Sequence, residues 1–131
     1  MFKVLVVDDS KIMRNVICRN LIELGYKVVG QAECGHEAVR KYKMLKPDFV
    51  TMDITMPEIQ QVSNGIEAVK LIKEFDNDAK IIMITSHGEE TKVIKAITYG
   101  AKAYLLKPVT KIKLKNALLK LQELLELKDN F

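Results

Sequence analysis

Cysteine is scarce in this chain, and the little present is not clustered. Cys18 and Cys34 are the two cysteines of 131 residues, and they form no C-x-x-C pair. No Cys/His grouping accompanies them, which argues against a thiolate metal centre or a disulfide framework. They read as reduced, packed thiols. Glycine and proline are also few, at six and three residues, so a collagenous or low-complexity chain is excluded. Long apolar runs are missing too: none approaches the ~18 residues of a membrane span. The N-terminal MFKVLVVDDS begins with an apolar run, but Asp8 and Asp9 end it before it could serve as a secretory signal. A cytoplasmic protein with no membrane partner is expected. Charge of one sign is not concentrated either. The net charge is +4 and the isoelectric point about 9.0, yet acidic residues are interleaved with the lysines. Even the most basic stretch, TKIKLK at 110–115, alternates with apolar residues and carries no nucleic-acid motif. No nucleic-acid partner is expected.

What the chain does contain is alternation. Strand-like apolar runs cover Lys3 to Val7, Lys27 to Ala32, Phe49 to Met52, Lys80 to Ile84 and Lys102 to Leu106. Between them lie helical patterns: Ile12 to Leu24, ended by Gly25; Glu37 to Leu45, stopped before Pro47; Gly65 to Phe75; Glu90 to Tyr99, ended by Gly100; and Thr110 to about Lys128. With no internal repeat and no linker, residues 1–131 are expected to form a single domain without an effector domain. Five β-α units with short connections imply the α/β class, a five-stranded parallel sheet with helices on both faces. In such sheets function sits at the carboxyl ends of the strands, near the point where strand order reverses.

Those ends carry Asp8-Asp9, Asp53, Thr85-Ser86 and Lys107-Pro108. Three carboxylates at one edge repel unless a cation lies between them. Hard oxygen ligands suit Mg²⁺, for which Mn²⁺ can substitute. With the Lys107 ammonium and the Thr85 hydroxyl, the set suits phosphoryl transfer to a carboxylate. Each residue alone has a plainer role. Asp9 or Ser10 could cap the first helix, Thr85 could cap a turn, and a Lys before Pro is ordinarily a solvated loop residue. The convergence of residues that end different strands is what favours a site.

VVDDS (6–10), MDITMP (52–57), MITS (83–86) and LLKP (105–108) resemble the signature blocks of bacterial two-component response-regulator receiver domains, most of all the chemotaxis members. Their order and spacing match over essentially the whole chain. The resemblance implies a flavodoxin-like fold with strand order 2-1-3-4-5; chemotaxis receivers are a standard example of that order, so it comes with the family and not from the spacing of the runs. It further implies Asp53 as phosphoacceptor, Asp9 and Asp8 as Mg²⁺ ligands (Asp8 through a water), and the Thr55 backbone carbonyl as another ligand. Thr85 and Tyr104 would be switch residues, Lys107 the phosphate partner, and Thr55 and His87 modulators of the hydrolytic water. A regulator of this kind is not an enzyme in the ordinary sense. A histidine kinase would supply the phosphoryl group, a flagellar motor switch protein would be the leading output partner, and a phosphatase is a further candidate. The alternatives are a phosphorelay intermediate and a constitutive interaction module working through the fifth helix.

Two features depart from the family. Where its members read M-P-x-M-D-G-x-E, this chain reads MPEIQQVSNGIE, four residues longer. The addition is either tolerated loop length or a reshaped rim beside Asp53. Thr55-x-x-Glu58 and Asn64-x-x-Glu67 both match a capping box, the second better placed. In the fifth helix, Leu114, Leu118, Leu121 and Leu125 form a stripe that Ala117 and Leu124 widen and that Ile112, Leu119 and Leu127 overrun. That surplus suggests an output or dimer surface, a monomer being the simpler expectation.

Overall fold

The computed structural model describes residues 1–56 and 64–129. The elements run β1 (Lys3–Val7), α1 (Lys11–Glu23), β2 (Lys27–Ala32), α2 (Gly35–Leu45), β3 (Phe49–Asp53), α3 (Gly65–Phe75), β4 (Ile81–Thr85), α4 (Glu90–Thr98), β5 (Ala103–Leu106) and α5 (Lys111–Asp129). The five strands pair in parallel in the order β2-β1-β3-β4-β5. The expected fold class and strand order are therefore found.

The near-continuous apolar strands follow from burial on both faces. Successive residues alternate between two cores, as the two-residue period of a strand demands. Val4, Val6, Phe49, Ile82 and Ile84 pack with α1 and α5 residues such as Ile17, Leu21, Leu114 and Leu118. Leu5, Val7, Val50, Met52, Ile81 and Met83 pack on the other side with Tyr42, Val69, Ile72 and Ala96 from α2, α3 and α4. Each large side chain so buried contributes roughly 1.5–3 kcal/mol. That burial fixes strand register, and register fixes which residues end up at the sheet edge.

Turn chemistry sets the lengths. α1 stops because Gly25 adopts φ +93, a left-handed conformation, with the Tyr26 amide closing onto the Leu21 carbonyl at 3.0 Å. Thr110 precedes α5 and its hydroxyl accepts from the Lys113 amide at 3.2 Å, so the helix begins one residue later than the sequence suggests. α2 starts earlier, at Gly35. Asp53 and Thr85 are the last residues of their strands and not the first of the loops, because the ladder continues through Asp53↔Ile84 and Thr85↔Leu106.

The α5 stripe is narrower than expected. Leu114, Ala117, Leu118 and Leu121 are buried and Leu125 packs partly against them, but Leu124 is exposed, with Ile112 and Leu119. At 3.6 residues per turn Leu124 lies roughly 80° around the helix from Leu114, past the flank that Ala117 occupies. Leu127 falls outside the described side chains, and most of the longer loop, with Glu58 of the first capping-box match, falls outside the described residues.

Candidate functional site

β1 runs between β2 and β3, so the chain leaves it toward one side and returns on the other. The ends of β1 and β3 therefore adjoin at the switch point. The Asp8 amide still extends the sheet, donating to the Ala32 carbonyl at 3.0 Å. Its Oδ1 accepts the Ser10 amide at 2.8 Å, and the Ser10 hydroxyl accepts the Met13 amide at 3.3 Å. Ser10 is thus the cap of α1. That leaves the exposed Asp9 carboxylate clear of capping.

A second device holds Asp8 from below. Arg14, on α1, is buried, and its Nη1 donates to the Asp8 carbonyl at 2.7 Å. Its other nitrogens reach Gln31 Oε1 at 3.1 Å and Glu33 Oε1 at 3.4 Å. A buried guanidinium is costly unless it is paired in this way.

Asp53 is positioned by an unusually close backbone approach. Asn64 caps α3, its Oδ1 accepting the Glu67 amide at 3.1 Å, and the Gly65 amide donates to the Ile54 carbonyl at 2.9 Å. A Cβ on Gly65 would sit 2.1 Å from the Asp53 carbonyl oxygen. Only glycine lets α3 start this close to the end of β3.

Asp8, Asp9 and Asp53 each offer a carboxylate oxygen, and these oxygens lie within 4.8 Å of one another. The Lys107 Nζ stands 3.5 Å from Asp53 Oδ1. Lys107 is placed there by its own amide, which donates to the Thr85 carbonyl at 2.7 Å and ties the ends of β4 and β5 together. Burial and the nearby Asp8 push the Asp53 carboxyl up to about 7, against the opposing pull of Lys107. Burial raises Asp8 as well, with its backbone hydrogen bond and Lys107 acting the other way. Asp8 Oδ2 is buried and has no hydrogen-bond partner among the described residues. An orphaned buried carboxylate oxygen beside two further carboxylates is the donor set a hard divalent cation needs, so these residues fit Mg²⁺.

Thr85 is buried, and its hydroxyl contacts Glu89 Oε1 at 3.2 Å and the Ser86 carbonyl at 3.3 Å. The exposed Thr55 hydroxyl bonds Glu89 Oε2, with Lys92 Nζ 3.4 Å away. Tyr104, on β5, is 54% exposed and lines a cavity of about 220 Å³ with Thr85, Val93, Ile94, Ile97 and Leu106. His87 is exposed in the loop between β4 and α4.

The fold therefore brings Asp8, Asp9, Asp53 and Lys107 into one cluster, and a hydroxyl-bearing rim of Thr85 and Thr55 joins through Glu89. Three contributors escape sequence reasoning. Arg14 shares its α1 face with Ile17, Cys18 and Leu21, a spacing that signals an inward position, but its charge reads as solvated. Gly65 reads as the first residue of the third helix, and its steric reason is not visible in the sequence. Nothing in the sequence marks Glu89, the residue just before α4, as a contact for two threonines.

A model of the response regulator receiver domain matches residues 4–119 of the chain. The Chemotaxis protein CheY of Thermotoga maritima is 50% identical over 81% of this chain and 85% of its own length. Its namesake from Bacillus subtilis is 48% identical over the same shares. Among solved structures, a CheX-CheY-BeF3-Mg+2 complex from Borrelia burgdorferi superimposes with a TM-score of 0.83 and 36% identity, covering 91% of this chain and 87% of that one.

Proposed function

The chain belongs to the response regulator receiver domain family, and from that premise we propose that Asp53 accepts a phosphoryl group from a phosphohistidine kinase and that the resulting change controls protein binding. Receiver domains are phosphoacceptor regulators and not enzymes that turn over a separate substrate. The observation that carries the reading is the meeting of the Asp8, Asp9 and Asp53 carboxylates within 4.8 Å, with Lys107 3.5 Å from the last.

In the transfer step, a carboxylate oxygen of Asp53 forms a bond to phosphorus while the bond from phosphorus to the donor nitrogen breaks, and the imidazole leaves with the pair of electrons. The oxygen must be deprotonated to attack, and the raised Asp53 pKa means that charge in the pocket has to be offset first. Asp8, Asp9, Asp53 and the Thr55 backbone carbonyl would hold Mg²⁺, which when bound neutralises carboxylate and phosphoryl charge. Lys107 places a compact ammonium against one phosphoryl oxygen, and Thr85 offers a hydroxyl to another. Thr55 and His87, on the rim, would modulate the approach of the water that later hydrolyses the acyl phosphate.

The output is read from the face around Tyr104. Ile94, Ile97 and Tyr104 are exposed side by side at the α4–β5 cavity, an arrangement suited to a partner whose contact depends on the Tyr104 rotamer. The names of the relatives support a chemotaxis role, and the output partner of this reading is a flagellar motor switch protein. A phosphatase that hydrolyses the acyl phosphate would close the cycle. The Borrelia relative is crystallised with a second protein, CheX, which supports binding of a further protein partner. No helix among the described residues is long and apolar enough to cross a membrane. The test is to purify motor-switch and phosphatase candidates and measure their affinity for the chain with and without Asp53 phosphorylation. Phosphorylation-independent affinity for all of them would reject the output assignment.

A further inference from the structure

Glu89 has none of the roles assigned above, yet it is the point where both rim hydroxyls end. It occupies the N-cap of α4 but makes no cap bond to its own helix. Its carboxylate instead turns back to the strand ends. Oε1 accepts the Ser86 amide at 2.7 Å and the Thr85 hydroxyl at 3.2 Å, while Oε2 takes the Thr55 hydroxyl and lies 3.9 Å from Lys92 Nζ. A plain turn cap would account for the Ser86 contact alone. The two threonines need another reason, since Thr85 ends β4 while Thr55 lies in the loop after β3.

We propose that Glu89 is a positioning residue that latches the Thr85 hydroxyl in the resting state, so that activation must release Thr85 from Glu89 before it can serve the phosphoryl group. The proposal rests on the reading that Asp53 is the phosphoacceptor. A threonine hydroxyl has one hydrogen to donate. Given to the Glu89 carboxylate, it is not available to a phosphoryl oxygen. The Ser86 carbonyl, 3.3 Å away, competes for that hydrogen, but the Glu89 carboxylate at 3.2 Å is the charged acceptor, and hydrogen bonds to ionised acceptors are about twice as strong as those between neutral groups. The latch therefore sets a threshold: phosphorylation has to outcompete Glu89 for one proton. Thr55 steadies the carboxylate from the other side, and Lys92 neutralises part of its charge.

Glu89→Gln separates this role from simple packing. Glutamine keeps the shape and can still accept the Ser86 amide, but the acceptor for Thr85 is no longer charged. Beryllofluoride with Mg²⁺ serves as the probe, as a stable mimic of a phosphorylated carboxylate, titrated into the full chain and followed through backbone amide resonances. Its apparent affinity should rise roughly three- to tenfold in Glu89→Gln. In a Thr85→Ala background the same change should alter affinity less than about twofold, because the group being latched is gone. An unchanged or weaker affinity in Glu89→Gln overturns the latch, and so does a gain of equal size in the Thr85→Ala background. The thermal midpoint, measured in parallel, confirms that each variant is folded. If wild type takes up no beryllofluoride, or Asp53→Asn takes it up equally well, the phosphoacceptor reading fails and the latch fails with it. Uptake by wild type without a gain in Glu89→Gln overturns the latch alone.

Discussion

Replacing Asp53 by Asn should stabilise the metal-free protein at alkaline pH. Asp53 is 3% exposed, and burial with the nearby Asp8 raises its pKa from 3.8 to about 7. A raised carboxylate pKa means that the folded state holds its proton more tightly than the unfolded state. Below pH 3.8 both states are protonated and there is no penalty. As pH rises from there to about 7, the unfolded chain ionises while the folded one resists, and stability falls; above about 7 the penalty is constant. At 1.36 kcal/mol per pKa unit the full penalty is about 4 kcal/mol, shrinking to about 2 kcal/mol at pH 5. Asparagine is close in shape and carries no charge, so it removes the penalty. Urea denaturation followed by far-ultraviolet circular dichroism, with a chelator present, would measure it at pH 5, 6, 7 and 8; the chain has no tryptophan to report by fluorescence. The variant should exceed wild type by a margin that widens as pH rises. Mg²⁺ should narrow the gap by stabilising wild type, by about 2.7 kcal/mol at a hundredfold excess over Kd. Equal stabilities at pH 8, or a margin that grows toward low pH, would refute the claim that the pocket is electrostatically strained.

Five further substitutions probe the same site. Asp9→Ala should abolish Mg²⁺ binding by calorimetry and Asp8→Ala should reduce it; wild-type affinity in Asp9→Ala would remove the proposed site. Thr85→Ala should still accept phosphate from a small donor but lose phosphorylation-dependent partner binding, and Lys107→Arg should impair it too, since a planar guanidinium does not reproduce the ammonium. Partner binding that survives both changes would count against the switch. Gly65→Ala should cost about 3 kcal/mol, the upper end for overpacking, because the new Cβ meets backbone at 2.1 Å and not a side chain that can turn aside. A wild-type thermal midpoint in Gly65→Ala would show that α3 can shift away from Asp53 freely.

The fold is legible because its strands are apolar on both faces and its helices are punctuated by Gly25, Pro47 and Gly100. Strand order comes from family resemblance, since alternation alone does not say which strand lies in the middle. The cluster at Asp8, Asp9, Asp53 and Lys107 is legible for a topological reason: a parallel sheet puts all its carboxyl ends on one edge. What stays hidden depends on side chains that sequence spacing does not aim. Arg14 shares the inward face of α1 with Ile17, Cys18 and Leu21, but spacing does not say that its guanidinium ends on the Asp8 carbonyl. Glu89 turns back from α4 to two threonines, which no cap pattern indicates. Leu124 fails to widen the α5 face because its angle around the helix, not its hydrophobicity, decides whether it meets the sheet.

Everything proposed for this edge depends on Asp53 being the phosphoacceptor. Intact-mass spectrometry after incubation with acetyl phosphate and Mg²⁺ decides it, with the modified residue located by borohydride reduction of the acyl phosphate and peptide mapping. One phosphoryl group per chain is expected, at Asp53, dependent on Mg²⁺ and absent from Asp53→Asn. No phosphoryl uptake by wild type, or equal uptake in Asp53→Asn, would show that Asp53 does not play this part.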